Sequence, residues 1–205
     1  MRLHRRLWVA VMVVFLLASP LAAVADDVES GPRAVVQETV DQVLGVLRQG
    51  ELTRNQKLEQ VREIVYQRFD FVVVSRLVLA KNWKRLNPQQ RKEFVREFKV
   101  FLAREYGSRF EGYDDETVEI LGERTEPRGD VTVRTRILGG DFDAANVDYR
   151  LRSRDGGWLV IDVVIEGISL VSNWRDQFRE LLRGPKGPER LLEQLRDKNA
   201  AGAAE

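Results

Sequence analysis

The chain has 205 residues, of which 43% are hydrophobic and 32% charged, with 33 Lys and Arg side chains against 32 Asp and Glu. This profile is typical of a globular protein, and its small net charge disfavours nucleic-acid binding. The only histidine is His4, the two methionines are Met1 and Met12, and the chain has no cysteine. The chemistry open to the protein therefore depends on whether its first residues are kept in the mature protein.

Residues 1–25 have the pattern of a secretory signal peptide. Three arginines among the first six residues form a positive n-region, Leu7 to Ala18 is an apolar h-region, and Ala23-Val24-Ala25 is an A-x-A cleavage site. The h-region is shorter than the ~20 apolar residues that span a bilayer, which disfavours an uncleaved anchor. We expect the protein to be exported and cleaved after Ala25.

Cleavage would leave a mature chain without His, Cys or Met. This composition excludes Cys and His nucleophiles, ordinary Zn or Cu sites, iron–sulfur clusters and His- or Met-ligated haem. Disulfides are also excluded, so the fold must be held by its core. We expect residues 26–198 to form a single domain and residues 199–205 to be a disordered tail.

The N-terminal half carries apolar residues at helical spacing. A first helix is predicted from Pro32 to just before Gly50, and a second begins with a capping box formed by Thr53 and Gln56. Asn87-Pro88 marks the start of a long helix. One side of that helix is expected to carry Phe94, Phe98, Phe101, Leu102 and Tyr106.

After Gly107 the apolar periodicity changes from that of a helix to that of a strand. Two helices are predicted to follow the strands, at Ser169 to Leu182 and Pro188 to Arg196, which gives an α+β protein. The four predicted strands are Thr117 to Leu121, Val131 to Leu138, Val147 to Ser153 and Trp158 to Ile165.

The second and third strands alternate apolar and polar residues, so one face of that part of the sheet is expected to meet water. Arg134, Arg136, Arg150 and Arg152 lie on this face and form a basic patch. Such a patch could steer the protein to acidic partner surfaces. It could equally be a solvated face balanced by local acids, since exposed strand charges also protect sheets from aggregation.

Two acidic residues are candidates for chemistry. Asp162 interrupts an otherwise apolar strand, and Glu166 follows four residues later on the same face. A carboxyl group in apolar surroundings can act as a base, and the spacing allows a carboxylate pair. Without His or Cys, the pattern favours a structural role for Asp162. A lipid-acting enzyme that uses Asp162 or Glu166 remains the alternative.

The chain has more apolar surface than one helical layer on a four-stranded sheet needs. Phe69 to Leu79 is apolar on more than one face, and the strand Trp158 to Ile165 is apolar on both faces apart from Asp162. An internal apolar cavity would use this surplus, and so would a dimer interface. The residues alone leave both open.

Several short motifs follow each other in order between residues 35 and 196. The first half contains Phe69-Asp70-Phe71, Ser75-Arg76-Leu77-Val78-Leu79, Trp83 and Pro88-x-Gln90-x-x-x-Phe94-x-x-x-Phe98. The second half contains Val147-x-Tyr149, Trp158-x-Val160-x-Asp162, Glu166-Gly167-Ile168-Ser169-Leu170-Val171 and Asn173-Trp174-Arg175-x-Gln177-Phe178. This ordered set resembles the MlaC or toluene-tolerance family of periplasmic phospholipid-binding proteins.

The resemblance implies a curved, mainly antiparallel four-stranded sheet of cystatin-like or nuclear-transport-factor-like form, packed with helices around an apolar pocket. It implies a non-enzymatic periplasmic shuttle whose cargo is phospholipid, with no cofactor and no metal. The implied partners are an outer-membrane lipoprotein–porin complex and an inner-membrane transporter with MCE domains, in the Mla pathway that maintains outer-membrane lipid asymmetry. A hopanoid-associated carrier of the same family is the alternative.

A pocket for acyl chains is expected to draw side chains from both halves of the chain. Each buried methylene contributes about 0.8 kcal/mol, so an apolar wall can hold a two-chain lipid without any chemistry. The candidate lipid-binding residues are apolar positions on the segments with the apolar surplus: Val74, Leu77, Val78, Phe98, Leu102, Val147, Tyr149, Val163 and Ile165.

Overall fold

The computed structural model describes residues 31–107, 112–113 and 115–202 of the chain. Within these residues six α-helices are combined with one antiparallel sheet of five strands, so the predicted α+β class is confirmed. The predicted signal peptide, residues 1–25, lies outside the described residues. In the described part of the chain, no helix is both long enough and apolar enough to cross a membrane.

Four α-helices and a 3-10 helix form the N-terminal half, and they begin where the sequence predicts, near Pro32, Thr53 and Asn87. The apolar segment after Phe69 forms a short α-helix that runs directly into the 3-10 helix. We call the latter the 3-10 segment. The elements are α1 (Pro32–Leu47), α2 (Arg54–Arg68), α3 (Phe71–Leu79), the 3-10 segment (Ala80–Arg85) and α4 (Pro88–Gly107).

Side-chain caps fix the starts of α2, α3 and α4. The Thr53 hydroxyl accepts the Gln56 backbone N–H while the Gln56 side chain accepts the Thr53 N–H, so the predicted capping box is confirmed. Asn87 and Gln90 form the same reciprocal pair at α4. Asp70 caps α3 by accepting a first-turn N–H at 2.9 Å. Each such cap stabilises its helix by about 1 kcal/mol.

The five strands form one sheet in the order β1-β2-β3-β4-β5, in which each strand is antiparallel to its neighbours. The prediction of four strands is wrong by one, because two residues pair beside the fourth strand. The first strand also runs past its predicted end, since a bulge lets its pairing continue. The strands are β1 (Thr117–Thr125), β2 (Val131–Leu138), β3 (Asn146–Arg154), β4 (Gly157–Ile165) and β5 (Ile168–Ser169).

Two helices, α5 (Leu170–Leu181) and α6 (Gly187–Ala201), complete the described chain. The prediction of a disordered tail from Asn199 is wrong for residues 199–201, which continue α6. The Asn199 amide donates to the backbone carbonyl and to the carboxylate of Glu97, at 3.0 and 2.8 Å. These bonds hold the end of α6 against α4.

One face of the sheet is covered by α1. The register aligns Val133 with Tyr149 and Tyr149 with Val163 across the three central strands. This face and α1 together form a cluster that we call the sheet core. Its buried members are Val35, Val36, Val133, Leu151, Val160 and Val163.

The opposite face carries the four arginines that were predicted to form a water-facing basic patch. Arg134 and Arg136 are exposed, but Arg150 and Arg152 are only partly exposed. Both of the latter bind Asp130, whose side chain is 1% exposed. The prediction is therefore wrong for Arg150 and Arg152, because a buried carboxylate that the strand pattern did not reveal lies against them.

A second cluster, which we call the helical core, forms between α3, α4, α5 and α6. Trp174 packs edge-on to Phe98 and Phe101, with ring centroids 6.4 and 4.8 Å apart. Such pairs add about 0.5–1.5 kcal/mol each beyond the burial of their surface. Much of the apolar surplus in the sequence is therefore used in helix packing. The aromatic members of the cluster are Phe94, Phe98, Phe101, Trp174 and Phe178.

Candidate functional site

A cavity of about 290 Å³ lies between α3, the 3-10 segment and β3. Its volume is at the low end of the range of about 300–1,000 Å³ that is typical of small-molecule pockets. Part of its wall is apolar and part is cationic, which suits an amphiphilic anion. The apolar lining residues are Val73, Leu77, Ala80 and Trp83, and the cationic ones are Arg76, Lys84 and Arg152.

The wall of the cavity is shared by one face of α3 and the 3-10 segment. Val73, Arg76 and Leu77 follow each other at steps of three and one residues, which brings them onto one side of α3. The opposite side of α3 faces the helical core through other residues. Leu77 lies at the border, since it lines the cavity and also packs against the helical core.

The chain turns sharply at Ala80, where α3 gives way to the 3-10 segment. Ala80 has φ 49° and ψ −123°, and its N–H donates to the Arg76 carbonyl. After this turn, Trp83 and Lys84 reach the same cavity as the α3 residues. The turn therefore allows two consecutive elements to contribute to one wall.

Trp83 is held in the wall by Arg91 of α4. The Arg91 guanidinium lies 5.5 Å from the centroid of the Trp83 ring, and its Nε donates to the Trp83 carbonyl at 3.1 Å. A cation over an indole face contributes about 0.5–1 kcal/mol at a partly exposed position. These two contacts hold the apolar ring of Trp83 in the cavity wall.

Arg76 and Lys84 supply positive charge to the cavity. Both side chains are exposed, and neither makes a hydrogen bond or an ion pair with another residue in the described part of the chain. Other arginines of the protein are paired with acids, for example Arg68 with Glu38 at 3.4 Å. The two cavity cations are therefore available to an anion from outside.

Arg152 belongs to a cluster of charges in which it is paired with an acid. Its guanidinium donates two hydrogen bonds to the Asp130 carboxylate, at 2.7 and 2.8 Å. Arg150 approaches the same carboxylate at 3.2 Å. The hydrogen bond from Arg152 is the main cause that holds the pKa of Asp130 below its usual value. One ionised carboxylate thus faces two guanidinium groups.

The predicted lipid-binding residues of the N-terminal half lie in or against the helical core. Val74, Val78 and Phe98 are buried there, and Leu77 and Leu102 are partly buried against it. Of these five, Leu77 is the one that lines the cavity.

The predicted lipid-binding residues of the C-terminal half lie in the sheet core. Val163 is buried, and Val147, Tyr149 and Ile165 are partly buried. Tyr149 faces Val163 and Val147 faces Ile165 across β3 and β4. Burial raises the pKa of the Tyr149 hydroxyl to about 12. The structure thus brings these four residues together but leaves them in a different cluster from the N-terminal five.

Sequence reasoning did not select most of the residues that line the cavity. The one available signal was Arg76, a single arginine within the strongly apolar helix α3 and three residues from Val73. Arg152 was noticed only as part of a water-facing patch. No sequence pattern shows that its strand packs close to α3.

The two acidic candidates hold the junction between β4 and α5. Asp162 accepts the Ser169 hydroxyl at 2.5 Å and the Val171 N–H at 3.1 Å. Glu166 accepts the Asn146 N–H. Neither carboxylate lines the cavity. Among the described residues, no group of His, Cys, Asp or Glu side chains is arranged to hold a metal ion.

Comparison with known proteins identifies the family. The family model described as MlaC protein matches residues 37–197. The toluene tolerance protein ttg2D of Pseudomonas putida is 25% identical over 177 residues, which are 84% of this chain and 81% of that protein. A solved structure of a phospholipid-binding protein from Ralstonia solanacearum, in complex with a phospholipid, superposes with a TM-score of 0.75 and 26% identity. The superposition covers 85% of this chain and 99% of that one. Because the family model matches most of its length, the chain belongs to the MlaC family.

Proposed function

We propose that the protein is a periplasmic carrier of glycerophospholipid. The observation that carries this proposal is the cavity, because it combines an apolar wall with unpaired cations. The phospholipid bound to the similar protein from Ralstonia solanacearum supports the same ligand class. Membership of the MlaC family supports a role in lipid transport.

A carrier of this kind works by burial and needs no catalytic group. Moving a two-chain lipid through water costs on the order of 20 kcal/mol, which apolar contacts in a protein can offset. Both acidic candidates already accept hydrogen bonds within the fold, at Asp162 and Glu166. This arrangement supports a carrier over a lipid-acting enzyme.

A diacyl lipid needs more room than the cavity of about 290 Å³ offers. Leu77 connects the cavity to the helical core, so acyl chains that enter beside Leu77 would displace contacts there. The five predicted lipid-binding residues of the N-terminal half are therefore candidates for contact with the chains, and the four in the sheet core stay a prediction. The cationic end of the cavity is the natural place for the phosphate.

The route we propose runs between the two membranes of the envelope. Cleavage of the signal peptide after Ala25 would release the protein into the periplasm. There it would exchange phospholipid with an outer-membrane lipoprotein–porin complex and an inner-membrane transporter with MCE domains. In the Mla pathway this exchange maintains the lipid asymmetry of the outer membrane.

The test is the lipid content of protein purified from the periplasm. Organic extraction followed by mass spectrometry should find about one glycerophospholipid per protein. Leu77→Gln should reduce this content, because it adds a polar amide to the apolar wall. The matched control Leu138→Gln changes an exposed leucine at the far end of β2 and should leave the content unchanged. Bound hopanoid in place of phospholipid would contradict the proposed cargo, and protein without lipid would contradict the carrier.

A further inference from the structure

We propose that Arg76 and Lys84 bind the phosphate of an anionic phospholipid head group, so that the protein prefers anionic lipids to zwitterionic ones. The inference rests on the proposed function, because it names the lipid class that the carrier takes. The two side chains come from consecutive elements, α3 and the 3-10 segment, and line the same cavity. They are the two cavity cations that lack a partner in the described part of the chain.

The charge balance around the cavity favours a ligand with net negative charge. The described lining residues include three cations and no acid. Arg152 is paired with the buried Asp130 carboxylate, and Asp70 also acts on it, so the positive charge available in the cavity is that of Arg76 and Lys84. A zwitterionic head group would bring its own ammonium group into this positive environment, whereas an anionic head group brings only the phosphate charge.

The geometry of the cations suits a phosphate group. A guanidinium can donate two parallel hydrogen bonds to phosphate oxygens, and an ammonium adds a point charge beside them. Because both side chains are exposed, solvent weakens each contact to the level of a surface ion pair. Because both lipids carry the phosphate, the preference comes from repulsion between the two cations and the ammonium group of the zwitterionic lipid. Two charge interactions of surface strength correspond to a preference of about tenfold for the anionic lipid.

The apolar part of the wall distinguishes a lipid phosphate from a free phosphate ion. Val73, Leu77 and Trp83 lie in the same wall as the two cations. An inorganic phosphate ion has no apolar surface to bury against these side chains, so it gains nothing from this part of the wall. The glycerol and the first methylenes of a lipid would cover these side chains.

The experiment measures which lipid the mature full-length chain selects. The protein is equilibrated with vesicles of equimolar phosphatidylglycerol and phosphatidylethanolamine, separated from them and extracted, and its bound lipids are quantified by mass spectrometry. The wild type should be enriched about tenfold in phosphatidylglycerol, and the enrichment should fall as salt is added. Equal uptake of the two lipids by the wild type would overturn the proposal.

Matched variants separate the cavity cations from the overall charge. Arg76→Gln with Lys84→Gln should abolish the enrichment. Lys81→Gln with Lys92→Gln removes the same charge from exposed lysines that do not line the cavity, and should keep the enrichment. Arg76→Lys should keep most of it, because the charge remains. Enrichment that persists in the Arg76 and Lys84 double variant would overturn the proposal.

Two further outcomes are distinguished: competition by free phosphate and failure of the protein to take up any lipid. If inorganic phosphate competes as well as phosphatidylglycerol does, the cavity recognises free phosphate, and the head-group proposal is overturned. If wild-type protein takes up neither lipid from vesicles and is purified without lipid, the proposed carrier function fails, whatever the cations do. Lipid uptake without selection leaves the carrier function intact and removes only the head-group inference.

Discussion

Ala80 is strained, and the strain lies at the cavity wall. Its φ of 49° with ψ of −123° is a conformation that a residue with a Cβ atom rarely adopts. Residues held in such regions cost about 1–3 kcal/mol each and are retained where the surrounding structure requires them. Here the turn is required because it brings Trp83 and Lys84 to the same cavity as α3.

Replacing Ala80 with glycine should therefore stabilise the protein. Glycine adopts this conformation freely, so the substitution relieves the backbone strain. This relief should exceed the extra conformational-entropy cost of ordering glycine, which is about 0.5–1 kcal/mol. We expect Ala80→Gly to raise the free energy of unfolding by about 1 kcal/mol, measured by urea denaturation. Ala103→Gly, in the interior of α4, is the matched control and should lower it by about 1 kcal/mol. Similar losses in both variants would show that Ala80 is not strained.

Asp130 gives the protein a stability that depends on pH. Its pKa in the folded protein is lowered, chiefly by the hydrogen bond from Arg152, from an unfolded value of about 3.9. A lowered folded pKa means that the stabilisation is complete above the unfolded value and is lost as pH falls through the folded value. Wild-type protein should therefore lose stability through this group as pH falls below about 5.

Asp130→Asn should remove this part of the acid sensitivity. At neutral pH the free energy of unfolding of the variant should be lower by about 1–3 kcal/mol. The loss is limited because the side chains of Arg150 and Arg152 are more than one-third exposed, so solvent screens the ion pairs. Its denaturation midpoint should then change less than that of the wild type on acidification. Asp155→Asn alters an exposed acid and should follow the wild type. A variant as acid-sensitive as the wild type would contradict this role of Asp130.

At the scale of elements, Asp162 fixes the start of α5. It accepts the Val171 N–H in the first turn and the hydroxyl of Ser169, which in turn caps the helix by accepting the Ser172 N–H. This chain of bonds ties β4 to α5 through one buried carboxylate. The same residue in an enzyme would be expected to face a cavity instead of a helix end.

Asp162→Asn should act on stability. The amide offers one oxygen in place of two, so one of the two bonds is lost, and the free energy of unfolding should fall by about 1–2 kcal/mol. Asp176→Asn, on the exposed side of α5, is the control and should change stability by less than about 0.5 kcal/mol. An Asp162→Asn variant as stable as the wild type would contradict the capping role.

The elements that the sequence predicted well are those whose signals are local. Thr53 and Gln56, or Asn87 and Gln90, identify a helix start from residues three positions apart. The later end of α6 could not be predicted in this way, because Asn199 is held by Glu97, about a hundred residues earlier in the chain. Local patterns thus determine where helices begin, and distant contacts determine how far they continue.

At the scale of the molecule, the cavity depends on the approach of α3 to β3. Leu77 was predicted because it is apolar, whereas Arg76 was passed over because it is charged. The counter-ion of Arg152 lies on another segment, at Asp130, so strand periodicity assigned Arg152 to open solvent. Tertiary packing brings such distant segments together, and the spacing of residues along the chain does not predict these pairs.

The two cores are joined by polar contacts made by α3 and its flanking residues. The Asp70 N–H donates to the Val160 carbonyl of β4 at 3.0 Å, and Arg154 of β3 binds the Asp70 carboxylate at 2.6 Å. Within the helical core, Arg175 of α5 donates to the Leu77 carbonyl at 3.0 and 2.7 Å and so ties α3 to α5. Loss of either core would therefore leave these groups unpaired, which couples the two cores in folding.

This coupling predicts that the helical core and the sheet core unfold together. Trp174 lies in the helical core and Trp158 packs against the sheet core, so variants that keep only one of these tryptophans report on each core separately. With the remaining tryptophans changed to Phe, the fluorescence transition of each variant should coincide with its own far-UV circular dichroism transition in thermal and urea unfolding, as for a single cooperative unit. Arg154→Ala together with Asp70→Ala removes one of the links and should begin to separate the transitions. The control Arg183→Ala removes an exposed ion pair with Glu180 and should not separate them. Separate transitions in the parent variants would show that the two cores fold independently.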